Sequence, residues 1–148
     1  MGHKIQWTLV VVVVVLLTAT GIFFTPLRYT KLIEPKIHDV LSEEIYTRLT
    51  RNPDKYLFMD VRPKDKYDER HAEGSINTPI AELYDGWREL PRTGKEIVLI
   101  CGKGNLSGVA YFFLQHFGFT NIVRVAGGVD DWATKGLPVV SNSKTIPI

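Results

Sequence analysis

The sequence predicts an α/β fold: an open, mostly parallel sheet covered by helices on both faces and preceded by one membrane-spanning helix. Three observations carry this expectation. Short apolar runs, "YLFMDV" (56–61), "IVLI" (97–100) and "NIVRVA" (121–126), alternate with stretches of helical periodicity, the pattern of strand–helix–strand units. The runs are nearly continuous in apolar residues, as expected of strands buried on both faces. Finally, "TLVVVVVVLLTATGIFF", Thr8 to Phe24, holds 17 residues without a charge.

Taking the elements in order, the uncharged run rises about 26 Å as a helix, near the lower limit for crossing a bilayer. In lipid every backbone group must be paired internally, which forces valine into a helix. Trp7 and Tyr29 suit the two interfaces. A cleaved signal peptide competes, although "TAT" before Gly21 is a poor cleavage pattern; a buried strand would be far shorter. Residues 1–26 are thus read as an anchor or signal segment. The side is left open: Arg28, Lys31 and Lys36 after the span favour a cytoplasmic domain, whereas Lys4 before a short apolar stretch looks like an export signal.

Residues 27–36, of mixed charge between Pro26 and Pro35, read as a linker, and 37–141 as the folded domain with a tail at 142–148. Asp39 is expected to cap a helix from Val40 to about Thr50, with Leu41, Ile45 and Leu49 on one face, and Asn52-Pro53-Asp54 to stop it. Pro63 to Arg70 has helical character, Ser75 to Asn77 is a short strand, and Leu83, Trp87 and Leu90 share a helical face. After the strand at 97–100, Val109, Phe112, Phe113 and Phe117 fit a helix packed on the sheet and ended by Gly118. Gly127-Gly128 turns from the last strand into a short helix around Trp132, and Gly136-Leu137-Pro138 ends it. Trp87 and Trp132 read as core.

Composition narrows the function classes. With 148 residues the chain suits one ordinary domain. Lys plus Arg number 18 against 16 for Asp plus Glu, so no strong field exists to attract nucleic acid. One cysteine forms no internal disulfide, and no Cys/His cluster has zinc-ligand spacing; neither metal nor cofactor is expected.

That cysteine stands in "CGKGNLS", 101–107, at a predicted strand carboxyl end, as does Asp60. In parallel sheets ligands bind beyond these ends. Gly102, Gly104 and Gly108 let the backbone bend tightly and turn N–H groups inward. A helix starting near Asn105 to Ser107 adds its positive end, and Lys103 adds a charge. Each favours thiolate over thiol, lowering the cysteine pKa from about 8.5, and the same donors would hold an oxyanion or an extra sulfur. An inert core cysteine would want apolar neighbours on both sides and has only Ile100.

Rival chemistries fit less well. A cysteine-dependent phosphatase needs an arginine six residues on, where Ser107 stands. A dinucleotide site lacks the ribose-binding acid expected about 20 residues later, and a Walker loop lacks its lysine before Ser107. A pairing of Cys101 with His38, His71 or His116 stays open.

"LFMDVRPKDKYDERHAEGSINTPI" (57–80) resembles the rhodanese pattern of a strand ending in Asp-Val-Arg, an acidic helix, then His, Gly and Ile-Asn. "VLICGKGNLSGVAYFFLQHFGFTNIVRVAGGVDDWATKGLP" (98–138) resembles that family's catalytic loop and its Gly-Gly…Trp…Gly-x-Pro ending. The likeness spans about 100 residues. It implies a five-stranded parallel sheet and sulfane-sulfur transfer through a persulfide on Cys101. The implied binding loop is Gly102, Lys103, Gly104, Asn105, Leu106 and Ser107, and the loop length matches sulfur transfer and not the longer loop of the related phosphatases. Asp60 and Arg62 either support the loop or shape the pocket directly.

The implied partners are a small donor such as thiosulfate or a thiol persulfide, and a thiol or cyanide acceptor. The anchor would add the membrane itself, through residues 8–24, and a possible membrane protein. Two departures matter. Ala72 replaces a larger apolar residue, and Leu106 stands where many active members carry arginine or another polar residue, which suits a thiol persulfide better than a dianion. The resulting expectation is a membrane-anchored rhodanese-type sulfurtransferase; the alternative is a tethered, catalytically weak rhodanese-fold module that binds a protein partner.

Overall fold

A computed structural model describes residues 2–24 and 36–142, with side chains described in the first segment only at 7, 8, 10–18 and 20. The chain divides into two compact units, Met1–Lys36 and Ile37–Ile148.

In the first unit a helix, α1, spans Gly2–Phe24. Two of its threonines bond back to the helix: the Thr18 hydroxyl donates to the Val14 and Val15 carbonyls, and Thr20 to Leu16. Such back-bonding lets threonine sit in a helix at little cost. The expected single-pass membrane localisation is overturned, because among the described residues no helix is long and apolar enough to cross a membrane. The transmembrane helix expected before the fold is thus not found among the described residues, and the membrane contact expected through residues 8–24 is left without support. Tyr29, Arg28, Lys31 and most of the 27–36 linker lie outside the described residues, as do 143–148.

The second unit is built on a five-stranded parallel sheet of order β1-β6-β5-β2-β4. Its strands are β1 (Asp39–Val40), β2 (Tyr56–Asp60), β4 (Ile76–Asn77), β5 (Glu96–Ile100) and β6 (Ile122–Val125). Beside it β3 (His71–Ala72) and β7 (Val139–Val140) pair antiparallel. The helices are α2 (Ser42–Arg51), α3 (Lys64–Glu69), α4 (Ile80–Gly86), α5 (Asn105–His116) and α6 (Gly128–Thr134).

Ile97, Val98, Leu99 and Ile100 are completely buried because β5 lies mid-sheet and alternate side chains enter two separate cores. Ile97 and Leu99 join Met59, Leu83, Tyr111 and Leu114 on one face. Val98 and Ile100 join Ile45, Phe58, Val129 and Trp132 on the other. Strand order reverses between β2 and β5, whose last residues, Asp60 and Ile100, are register partners. This is the switch point where a crevice opens in open α/β sheets.

Two expected elements differ. Asp39 does not cap α2: it lies in edge strand β1, and α2 begins at Ser42 after Leu41, whose side chain is exposed. Backbone pairing with β6 wins Asp39 and Val40 from the helix. On α5 the sheet-facing row is Ser107, Gly108, Ala110, Tyr111 and Leu114, while Val109, Phe112 and Phe117 are exposed. Small residues take the inner face because the helix approaches the sheet closely; Phe117 instead stacks on Trp87.

Candidate functional site

Cys101 follows β5 directly, and the chain turns at once. Gly104 adopts φ 96°, a left-handed conformation that suits glycine, and serves as N-cap of α5. This turn aims the Gly104 N–H at the Cys101 Sγ, 3.2 Å away, and the Ser107 Oγ donor lies 3.4 Å from the same sulfur. Cys101 itself is only 2% exposed and borders the apolar cluster of Met59, Leu83 and Leu114. A buried cysteine usually behaves as a small hydrophobe, but this sulfur has a backbone N–H and a hydroxyl within bonding distance, donors that suit a negatively charged sulfur.

The other loop residues are placed differently. Gly102 and Leu106 are half-buried, and Leu106 packs against the apolar cluster below. Lys103 and Asn105 are exposed at the rim. Among the described residues no histidine bonds to the sulfur; His71 is buried, its Nδ1 2.8 Å from the Tyr67 carbonyl and its ring stacked on Tyr67. Among the described residues no group of three or more His, Cys, Asp or Glu side chains could hold a metal ion.

The loop is held from three sides. The start of α6 grips it through the Val129 N–H, which donates to the Cys101 carbonyl at 2.8 Å, and the Asp130 N–H, which donates to the Gly102 carbonyl at 3.1 Å. Gly128, at φ 66°, backs so closely onto the loop that an added Cβ would overlap the Cys101 carbonyl oxygen and stand 2.5 Å from that of Gly102. The Gly-Gly pair is therefore more than the turn and helix start expected from sequence. It is the contact surface behind the cysteine.

From β2, Asp60 and Arg62 form a closed unit. The Asp60 carboxylate is fully buried and accepts the Arg62 Nε at 2.9 Å, its Nη2 at 2.6 Å and its backbone N–H at 3.0 Å. Arg62 also donates to the Arg70 carbonyl, and its Cδ would lie 3.9 Å from a Cβ added at Gly102. A buried carboxylate needs such pairing; the arginine stem thereby walls one side of the loop.

From β6 comes a residue the sequence reading missed. Arg124 donates to Asp39 through Nε at 2.6 Å and Nη2 at 2.7 Å, and through Nη1 to the Gly104 carbonyl at 3.0 Å. Its guanidinium is held above the ordinary arginine pKa, chiefly by the hydrogen bond to Asp39. The signal in sequence was a lone charge inside the apolar run "NIVRVA". A separate cleft of about 270 Å³, lined by Tyr46, Leu49, Tyr56, Phe58 and Glu73 among others, includes no loop residue.

Comparison with known proteins bears on this site. The family model described as "Rhodanese-like domain" matches residues 42–135. The crystal structure of a rhodanese-related protein from Thermoplasma volcanium is 36% identical, with a TM-score of 0.59, over 70% of this chain and 97% of that one. The probable molybdopterin-synthase adenylyltransferase of Porphyra purpurea is 31% identical over 68% of this chain and 25% of its own length. The adenylyltransferase and sulfurtransferase UBA4 of Saccharomyces cerevisiae is 33% identical over 60% of this chain and 23% of its own. This chain thus spans about a quarter of the length of these curated relatives. With its family model covering four of the five parallel strands, β2, β4, β5 and β6, and with the cysteine-bearing loop inside the match, the chain belongs to the rhodanese-like domain family.

Proposed function

We propose that residues 37–141 form a rhodanese-type sulfurtransferase that carries sulfane sulfur on Cys101. The observation that carries this reading is the pair of donors, Gly104 N–H and Ser107 Oγ, on a single buried sulfur at the switch point of the sheet. A relative bearing "sulfurtransferase" in its name supports the same chemistry.

In the first half-reaction the Cys101 thiolate attacks the outer sulfur of the donor. A sulfur–sulfur bond forms at Cys101, the bond to the donor's inner sulfur breaks, and the donor leaves as a thiolate, or as sulfite from thiosulfate. The terminal sulfur of the persulfide keeps the negative charge, against the N–H and O–H groups of the loop and the start of α5. In the second, an acceptor thiolate or cyanide attacks that terminal sulfur and Cys101 leaves as thiolate. There is no net redox change and no cofactor is consumed.

Leu106 favours a thiol persulfide over thiosulfate, because its side chain rests on the apolar cluster and offers no donor to a dianion. Lys103 at the exposed rim attracts whichever anionic donor arrives.

The burial of Cys101 favours one other reading, a partner-binding module of weak activity. Mass spectrometry on the full chain, after incubation with a thiol persulfide and then with thiosulfate, separates the two. One added sulfur on Cys101, removed by cyanide, is expected. No adduct from either donor would leave the binding module.

A further inference from the structure

Ser107 has one hydroxyl proton and two acceptors within reach: the Gly104 carbonyl at 3.1 Å and the Cys101 sulfur at 3.4 Å. The two compete for that proton, and wherever the carbonyl takes it the sulfur loses one of its two donors. A carbonyl oxygen, however, has two lone pairs. Two other donors already occupy this one, the Gly108 N–H at 3.0 Å and the Arg124 Nη1 at 3.0 Å.

We propose that Arg124, fixed by Asp39, is a positioning residue that saturates the Gly104 carbonyl and so releases the Ser107 hydroxyl proton to the Cys101 sulfur. The functional meaning rests on the sulfurtransferase reading; the proton assignment does not.

The geometry favours a fixed guanidinium over a mobile one. Asp39 and Arg124 are register partners on β1 and β6, so the ladder itself sets their side chains on one face. Two donors hold the carboxylate, leaving Nη1 to cross to the loop. A Cβ at Gly108 would come within 2.9 Å of Nη1, so the first turn of α5 closes over the group. Arg124 is 19% exposed, partly shielded from water that would compete for the carbonyl.

Other charges border the loop without touching the sulfur. Asp60 and Arg62 pair on the β2 side, Asp130 of α6 pairs with Arg70, and Asp131 accepts from Ser42. Lys103 of the loop and Glu82 and Asp85 of α4 are exposed. The variants below leave all of these in place.

The test uses the full chain, whose single cysteine makes the ultraviolet absorbance of the thiolate unambiguous. Arg124→Met, Ser107→Ala, their combination and Asp39→Asn are titrated after thermal melting confirms folding. Arg124→Met is expected to raise the ionisation midpoint by about half to one pH unit, a three- to tenfold loss of thiolate at pH values below it. Ser107→Ala is expected to raise it similarly, and the double variant no further than Ser107→Ala alone.

Additive shifts would mean that Arg124 acts by charge alone, and would overturn the proposal; so would an unshifted midpoint in Arg124→Met. Should that variant not fold, Asp39→Asn decides: a smaller upward shift supports the inference, and none overturns it. Sulfur loading is measured in parallel. Wild type that shows the non-additive titration but takes no sulfur keeps this inference and loses the sulfurtransferase reading.

Discussion

Gly128 backs directly onto Cys101. The Cys101 carbonyl oxygen occupies the space where a Gly128 side chain would begin, and it accepts the neighbouring Val129 N–H at 2.8 Å. Gly128→Ala therefore meets two penalties, a left-handed φ of 66° and overlap with backbone atoms that have no room to move. Together these cost about 2–5 kcal/mol. Chemical denaturation measures the loss, and sulfur loading should fall further than stability alone explains, because the loop itself is displaced.

Arg62 neutralises a carboxylate with no access to water. Arg62→Met leaves Asp60 buried and unpaired, which costs about 3–5 kcal/mol. Adding Asp60→Asn should restore part of that loss. Urea melts of the two single variants and the double one give the coupling; purely additive losses would show that the pair is not the stabilising unit.

Trp132 is completely buried, with its indole N–H donating to the Pro138 carbonyl at 2.9 Å and its ring edge-on to Tyr46. Trp132→Ala is expected to cost about 3–5 kcal/mol. Since Trp132 lies on α6, whose first turn grips the loop, Cys101 should become more open to alkylation at temperatures below the melt.

Lys103 is exposed and forms none of the loop's internal bonds to sulfur. Lys103→Ala should raise the KM for thiosulfate several-fold with kcat little changed and stability within about 0.5 kcal/mol of wild type. Steady-state kinetics with thiosulfate against a neutral-headed persulfide checks the charge dependence.

Tyr67 adds a pH prediction. Burial disfavours its phenolate and raises its pKa above the ordinary value near 10. The folded pKa exceeds the unfolded one, so the contribution is complete below pH 10 and is lost as pH rises through the higher folded value. Thermal melts above pH 10 should fall more steeply for wild type than for Tyr67→Phe.

Much of this was readable from the sequence. The central strands declare themselves because burial on both faces demands unbroken apolar runs, and Asp60 and Cys101 follow from the strand ends. The strands β1, β3 and β7 were not readable, since each is two residues long, too short for periodicity, and unlike β4 each pairs with a strand far along the chain. The same distance hid Arg124, whose meaning depends on Asp39, 85 residues earlier. On α5 Phe113 does pack on the core, but Val109, Phe112 and Phe117 suggested an inner face that Ser107, Gly108, Ala110, Tyr111 and Leu114 take instead.

The parallel ladder between β1 and β6 has a temporal consequence. During synthesis the first edge residue waits for its partner while 85 more residues are made, roughly 4–17 s at ordinary ribosomal speed. Cys101 itself is made 23 residues before Arg124, so for the last roughly 1–5 s of that interval the thiol exists without its brace. Chemical maturity of the centre is therefore timed to the synthesis of β6.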